Sequence, residues 1–247
     1  MKDGLKKSIK SLMAQNLKGD IEYIVVDGAS TDGSLEIIES YKNNIDKALV
    51  EKDNGIFDAM NKGIKLASGE YIYFLNSGDE FASENILKTI VEKIESTKKS
   101  YNIISGDVAT FKHGKYIGIA NLHPWIVHQS AFVKTELMNE YKFDSNFKIL
   151  GDLDLWKRLH NDGKFKYCKI RKIIANMELD GVGSDPTLIF KRLKDKRYYA
   201  KKHRDYSGLL ASCIVESAGY LVFKVFNERM SLLFYKNIIT NLKKILR

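Results

Sequence analysis

Apolar positions along this chain change their spacing several times, and each change marks an element. Leu5, Ile9, Leu12 and Met13 share one face at helical spacing, which predicts an amphipathic helix at the start. The β-branched run Ile21-Glu22-Tyr23-Ile24-Val25-Val26-Asp27 predicts a strand that ends in an acid. Residues 28–34 carry turn and helix-cap chemistry, and Leu35, Ile38 and Tyr41 carry the next helix. Residues 47–50 predict a short strand. Residues 54–68 predict a helix with Phe57, Met60, Ile64 and Ala67 inward, closed by Gly69. Residues 71–75 read as a buried strand, and Ile86, Leu87, Ile90, Val91 and Ile94 as another helix. This alternation predicts an α/β fold, a mostly parallel central sheet flanked by helices. From about residue 101 the rhythm changes. Residues 103–108 and 115–120 read as strands on either side of a hairpin-like gap at His113-Gly114, so the second half is expected to be mixed.

Composition sharpens this picture in one respect. The 247 residues suit one large domain, or a domain with an appendage, and a hydrophobic content of 44% can fill its core. A charged content of 29% argues against a chain wholly embedded in a membrane. The formal net charge of +9 is unevenly placed: residues 1–180 hold 26 Lys/Arg and 26 Asp/Glu, whereas residues 181–247 hold 14 against 5. An anionic partner is therefore expected for the tail and not for the body. Lys191, Arg192, Lys194, Lys196, Arg197, Lys201, Lys202 and Arg204 crowd together there, ahead of a largely apolar stretch at residues 209–226 broken by Glu216 and Lys224. That stretch is marginal for a membrane span. It fits a helix lying in the headgroup region of an anionic membrane surface, or a core-packed helix with a solvated basic face. No nucleic-acid reader motif accompanies the charge, so no nucleic acid is expected. Cys168 and Cys213 stand in no metal-ligand spacing and suggest a reducing compartment. No apolar run suited to a signal peptide follows Met1.

Five segments could carry chemistry. Asp27 with the turn after it could meet a nucleoside, or could be an ordinary capped turn. Asp79, just past a buried strand, could hold a hard divalent cation against a diphosphate, or could be a solvated acid in the turn Asn76-Ser77-Gly78-Asp79. Asp152, in the first turn of a helix marked by Leu155, Trp156 and Leu159, could be a general base or a cap. His128, among Trp125, Ile126, Val127 and Phe132, could act directly in catalysis, or could be a core or rim histidine. The fifth is the basic tail.

In their order, the segments resemble glycosyltransferase family 2, on the bacterial branch that builds capsule, O-antigen and exopolysaccharide. The segments are Val25-Val26-Asp27-Gly28-Ala29-Ser30-Thr31-Asp32-Gly33-Ser34, Lys52-Asp53-Asn54-Gly55-Ile56-Phe57-Asp58-Ala59-Met60-Asn61-Lys62-Gly63, Gly69-Glu70-Tyr71-Ile72-Tyr73-Phe74-Leu75-Asn76-Ser77-Gly78-Asp79, His128-Gln129-Ser130 and Gly151-Asp152-Leu153-Asp154-Leu155-Trp156-Lys157-Arg158-Leu159. The resemblance spans about residues 4–185. It implies a GT-A nucleotide-diphospho-sugar transferase domain over residues 1–185, with residues 186–247 as a basic amphipathic helical extension. It implies an inverting glycosyltransferase at the inner face of the cell membrane. The donor would be a nucleotide-diphosphate sugar, expected as a UDP-sugar, and the acceptor lipid-linked or an oligosaccharide. Asp79 would hold Mg2+ or Mn2+. Asp27, Gly28, Ser30, Asp32, Asp53, Asn61 and Asn76 would lie on the donor side. Asp152 would be the catalytic base, with His128, Gln129, Asp154 and Trp156 on the acceptor side. The alternative is a truncated or non-catalytic homologue that binds a nucleotide-sugar or a partner without turnover.

Three departures from the family pattern matter. The Asp-x-Asp region is Asn76-Ser77-Gly78-Asp79, so one usual carboxylate is absent and modest metal affinity is expected. The turn Asp27-Gly28-Ala29-Ser30 lacks the second acid that family members place against uracil. The chain also begins inside the first helix region, without the apolar strand that opens the family. A late start, another segment in the gap or a defective form would each account for that.

Overall fold

The computed structural model describes residues 2–17, 21–97, 101–120, 125–179 and 188–207. The apolar stretch at 209–226 and Cys213 lie outside the described residues. In chain order the elements are α1 (Lys2–Met13), β1 (Ile24–Asp27), α2 (Ser34–Ser40), β2 (Lys47–Val50), α3 (Ile56–Leu66), β3 (Tyr71–Ile72), β4 (Glu80–Phe81) and α4 (Ile86–Ser96). They continue with β5 (Ile103–Lys112), β6 (Lys115–Ala120), β7 (Ala131–Lys134), α5 (Thr135–Tyr141), α6 (Gly151–Asn161), β8 (Tyr167–Glu178) and α7 (Ile189–His203). The chain divides into two compact units, Met1–Asn146 with Gly151–Leu179, and Phe147–Leu150 with Asp180–Arg247.

In the first unit β1 and β2 run parallel, with Asp27 opposite Val50, so both strands end at one edge. A six-stranded sheet runs β3-β7-β5-β8-β4, with β6 paired to β5. Its β5–β8 pair is parallel and its other pairs are antiparallel. The expected α/β architecture is present, and among the described residues parallel pairing is confined to β1–β2 and β5–β8. The hairpin expected at His113-Gly114 joins β5 to β6, with Lys112 opposite Lys115 and positive φ at both turn residues, the geometry of a type I′ turn. Two strands are shorter than their patterns suggest: β1 starts at Ile24 and β3 ends at Ile72. Each is laddered on one side only, and the sheet stands in two pieces. A strand residue keeps regular geometry where its amide and carbonyl find a ladder, and residues 73–75 have none among the described residues.

Helix α1 covers one face of the larger sheet. Leu12 packs with Phe81, Ile86, Leu87, Ile90, Ile104, Phe132 and Ile174, and Tyr23, Tyr73 and Leu75 lie against that cluster. Burial of each such large apolar side chain contributes roughly 1.5–3 kcal/mol. Helix α3 buries Phe57, Met60 and Ile64, and α6 buries Leu155, Trp156 and Leu159. In the second unit one carboxylate oxygen of Asp195 on α7 accepts the backbone N–H groups of Lys148 (2.9 Å), Ile149 (2.7 Å) and Leu150 (3.0 Å). The Phe147 ring packs on Tyr198 at 4.8 Å between centroids. Among the described residues no helix is long and apolar enough to cross a membrane.

Candidate functional site

The first cluster lies beyond the carboxyl ends of β1 and β2, where open α/β sheets bind ligands. Asp27 is buried, and its Oδ1 accepts the Ser30 N–H at 2.7 Å, closing a turn whose Ala29 has a φ of 62°. Asp32 accepts both the amide (3.1 Å) and the hydroxyl (2.6 Å) of Ser34, and that hydroxyl bond holds its carboxyl below the usual range. Past β2, Asp53 Oδ1 accepts the Gly55 N–H at 2.8 Å. Its Oδ2 lies so close to the Gly28 backbone that a Cβ at residue 28 would strike it. The fold therefore brings Asp27, Gly28, Ser30 and Asp53 together. Asn61 is elsewhere engaged: its amide donates to the Phe143 carbonyl (2.8 Å) and its oxygen accepts the Phe143 N–H (2.9 Å). Asn61, expected on the donor side, brackets α3 to the chain after α5.

The second cluster forms around the turn that carries Asp79. The Asp79 N–H donates to the Asn76 carbonyl at 3.0 Å, and Gly78 has a φ of 100°. This is a type II turn, whose third residue favours glycine. The Asp79 side chain is buried, with hydrogen bonds from Gln129 and Asn76. Burial raises its pKa to about 6, and His128 and those hydrogen bonds pull it back only in part. Its Oδ2 is buried and has no hydrogen-bond partner.

His128 links this turn to helix α6. Its Nε2 lies 3.0 Å from Asn76 Nδ2, and its Nδ1 lies 3.1 Å from Asp152 Oδ2. The Asn76 nitrogen faces both the Asp79 carboxylate and His128, so it is the donor to each, and Nε2 accepts. The network then assigns the ring proton to Nδ1, from which it is donated to Asp152. Asp152 Oδ1 accepts the Leu153 N–H at 2.8 Å. Gly151, at the start of α6, lies against Phe57; a Cβ there would stand 2.7 Å from the ring. Asp79, Asn76, His128 and Asp152 thus form one connected group.

Three residues expected on the acceptor side are committed to the interior. Gln129 is 8% exposed and holds Asp79, and its carbonyl accepts the Tyr73 hydroxyl at 2.6 Å. Asp154 is fully buried and pairs with Arg158 at 2.8 Å. The guanidinium of Arg158 also donates to the Tyr141 and Lys142 carbonyls. Trp156 is 1% exposed, with its indole N–H on the Ile126 carbonyl at 2.9 Å. An i, i+4 Asp-Arg pair and a tryptophan at the apolar spacing were the signals for that packing role. Nothing in the local sequence announced that Asn76 and His128 meet.

Among the described residues no three His, Cys, Asp or Glu side chains converge on one point that could hold an ion. The Asp79 carboxylate, with a buried oxygen lacking any partner, has the chemistry of a single hard-cation ligand, the remainder of the shell coming from other oxygens.

The model of the family described as glycosyl transferase family 2 matches residues 2–151. The chain belongs to glycosyl transferase family 2. It is 28% identical over 223 residues to the uncharacterized glycosyltransferase MT1564 of Mycobacterium tuberculosis, covering 83% of this chain and 80% of that one. It is 29% identical over 152 residues to a PGL/p-HBAD biosynthesis glycosyltransferase of Mycobacterium bovis, covering 58% and 59%. Two solved structures share the fold. Staphylococcus aureus TarS 1–349 in complex with UDP gives a TM-score of 0.62 at 19% identity, covering 90% of this chain and 68% of that one. The mannosyltransferase PcManGT of Pyrobaculum calidifontis, in complex with GDP-Man and Mn2+, gives 0.62 at 14%, covering 99% and 72%. This family member is a GT-A glycosyltransferase.

Proposed function

We propose that this glycosyltransferase is an inverting enzyme that moves a sugar from a nucleotide-diphosphate sugar to a lipid-linked or oligosaccharide acceptor in bacterial surface polysaccharide synthesis. The carrying observation is the bonded series from Asp79 through Asn76 and His128 to Asp152, which joins a candidate cation ligand and a candidate base in one group. Asp27 and Asp53, at the ends of β1 and β2, receive the nucleoside. Asp79 would hold a divalent cation, whose positive charge would offset the charge growing on the leaving diphosphate. Asp152, held by the His128 N–H, keeps lone pairs free to take the acceptor hydroxyl's proton. Attack on the face opposite the diphosphate inverts the anomeric centre.

UDP in the TarS complex and biosynthetic naming of the mycobacterial relative support a UDP-sugar donor and a glycan product. The basic residues of α7 support docking at an anionic membrane surface, where a lipid-linked acceptor would lie. The test is nucleotide release from a panel of UDP-sugars with Mn2+, with and without lipid-linked acceptors. Release from at least one donor is expected. Tight UDP binding with no release from any donor would leave the binding-only reading in its place.

A further inference from the structure

We infer that Ser8 is a positioning residue that seats the Asn76–Asp79 turn and so aims the Asp79 carboxylate; this rests on reading Asp79 as the cation ligand. Ser8 lies on α1 and is 3% exposed. Its Oγ is 2.7 Å from the Asp79 carbonyl, 2.9 Å from the Asn76 carbonyl and 3.2 Å from the Gly4 carbonyl, and it accepts the Gly78 N–H at 3.0 Å. A hydroxyl has one proton, so one of these carbonyls receives it; the Asp79 carbonyl is the shortest approach and lies fully buried. One side chain therefore touches three of the turn's four residues.

The turn rests on α1 elsewhere as well. A Cβ on Gly4 would stand 3.1 Å from both the Gly78 nitrogen and the Ser77 hydroxyl, so the first turn of α1 lies flush against it. Further along the helix, Ser11 Oγ accepts the Phe81 N–H at 3.3 Å, and just past the helix Gln15 bonds the Ser83 carbonyl (2.8 Å) and the Leu87 amide (3.1 Å). Gly4, Ser8 and Ser11 recur at helical spacing on one stripe of α1 beside the apolar face of Ile9 and Leu12, and Gln15 follows just past its end. Those residues contact the chain from Asn76 to Leu87, with Ser8 and Gln15 buried and Gly4 and Ser11 half-buried. Asp79 itself leaves one oxygen without a partner, so the direction of that oxygen depends on how firmly its backbone is held. Ser8 supplies the hold from outside the turn.

The test is calorimetric titration of the full chain with UDP, with and without Mn2+. Ser8→Ala is expected to weaken the Mn2+-dependent part of UDP binding by about tenfold, as loss of a residue behind a metal ligand does, with Mn2+-free UDP affinity unchanged. Ser8→Thr, which keeps the hydroxyl, restores the dependence. Leu12→Ala, which loosens the same helix without touching the turn, keeps it. Full Mn2+ dependence in Ser8→Ala overturns the inference and leaves the Asp79 reading standing. Equal loss in Leu12→Ala also overturns it, because the effect is then general looseness of α1. Wild-type UDP binding indifferent to Mn2+ sinks the Asp79 reading and this inference with it. If Ser8→Ala does not fold, Gly4→Ala presses a methyl on the turn with Ser8 intact, and unchanged Mn2+ dependence there overturns the inference.

Discussion

The two clusters are held in opposite ways. At the ends of β1 and β2, each carboxylate bonds to backbone two or three residues away: Asp27 to Ser30, Asp32 to Ser34, Asp53 to Gly55. Around Asp79, the partners come from far along the chain: Asn76 with His128, His128 with Asp152, Ser8 with Asp79. The first cluster is a set of turns that neighbouring residues shape. The second exists only when α1, the turn, the His128 segment and α6 are all in place. Damage to the first should stay local, and damage to the second should reach both chemistry and stability.

The largest expected effect lies at the far end of the second cluster. Asp152→Asn keeps an oxygen for the His128 N–H and removes the base, so kcat should fall by about 10²–10⁴ with UDP affinity unchanged. Steady-state kinetics beside UDP titration separate the two, and an equal loss of both would remove Asp152 from the role of base. Asp79→Asn comes next and carries a double signature. Burial holds the Asp79 pKa at about 6, so at pH 7.5 the folded chain carries a charge it disfavours. The neutral amide should raise stability by about 1–3 kcal/mol, the scale of such a shift, while Mn2+ dependence of UDP binding disappears. Urea unfolding at pH 7.5 reads the first and calorimetry the second. A variant less stable than wild type would mean that the Asp79 charge is compensated in the fold.

The same contrast explains what was legible in advance. Local patterns were sufficient for α1, α3, β2, the β5–β6 hairpin and the first turn of α6, because helical spacing, a β-branched run or a two-residue turn is written in adjacent residues. Asp27 was marked by its strand-end position for the same reason, while Gly28, Ser30 and Asp53 were singled out as donor-side residues by the family resemblance. The length of β3 was not, since a strand continues only as far as a ladder partner does. The duties of Asn61 and Gln129 were not legible either, because each is fixed by a partner that only the fold brings near, whereas the Asp154–Arg158 pair and the apolar spacing of Trp156 were written within one helix. Asp79, Asn76, His128 and Asp152 were each visible as candidate residues, but the bonds between them were not.

On the local side, Gly28→Ala should break little else. The added methyl meets the end of the Asp53 side chain, which must swing away and loosen its bond to the Gly55 N–H, so stability should fall by about 0.5–1.5 kcal/mol. Displacing that carboxylate removes one polar contact to a nucleoside, an effect of about 1 kcal/mol, or roughly fivefold in UDP affinity. The Mn2+ dependence should be untouched. Its loss in Gly28→Ala would show that the two clusters are coupled and would break the contrast drawn between them.

The smallest effect comes from a long-range polar tie at the amino end of β1, beside the bond from the Tyr23 N–H to Asp46 (2.7 Å). Glu22 bonds Lys47 (2.5 Å) and the Ser68 amide (2.7 Å) and hydroxyl (2.9 Å), and the Lys47 bond first, then the Ser68 amide, lower its pKa to about 2. A carboxyl whose folded pKa is depressed binds fewer protons folded than unfolded, so its contribution is complete above its ordinary value and fades as pH falls toward about 2. The Lys47 side chain is 41% exposed, so solvent screening limits the tie to below about 1 kcal/mol. Glu22→Gln should therefore be slightly less stable than wild type in urea at pH 7, and the gap should narrow steadily between about pH 4.5 and 3. A gap that stays constant over that range would assign the difference to the shape of the side chain and not to its charge. A gap well above 1 kcal/mol at pH 7 would mean that the β1–β2 region depends on distant bonds as much as the Asp79 cluster does.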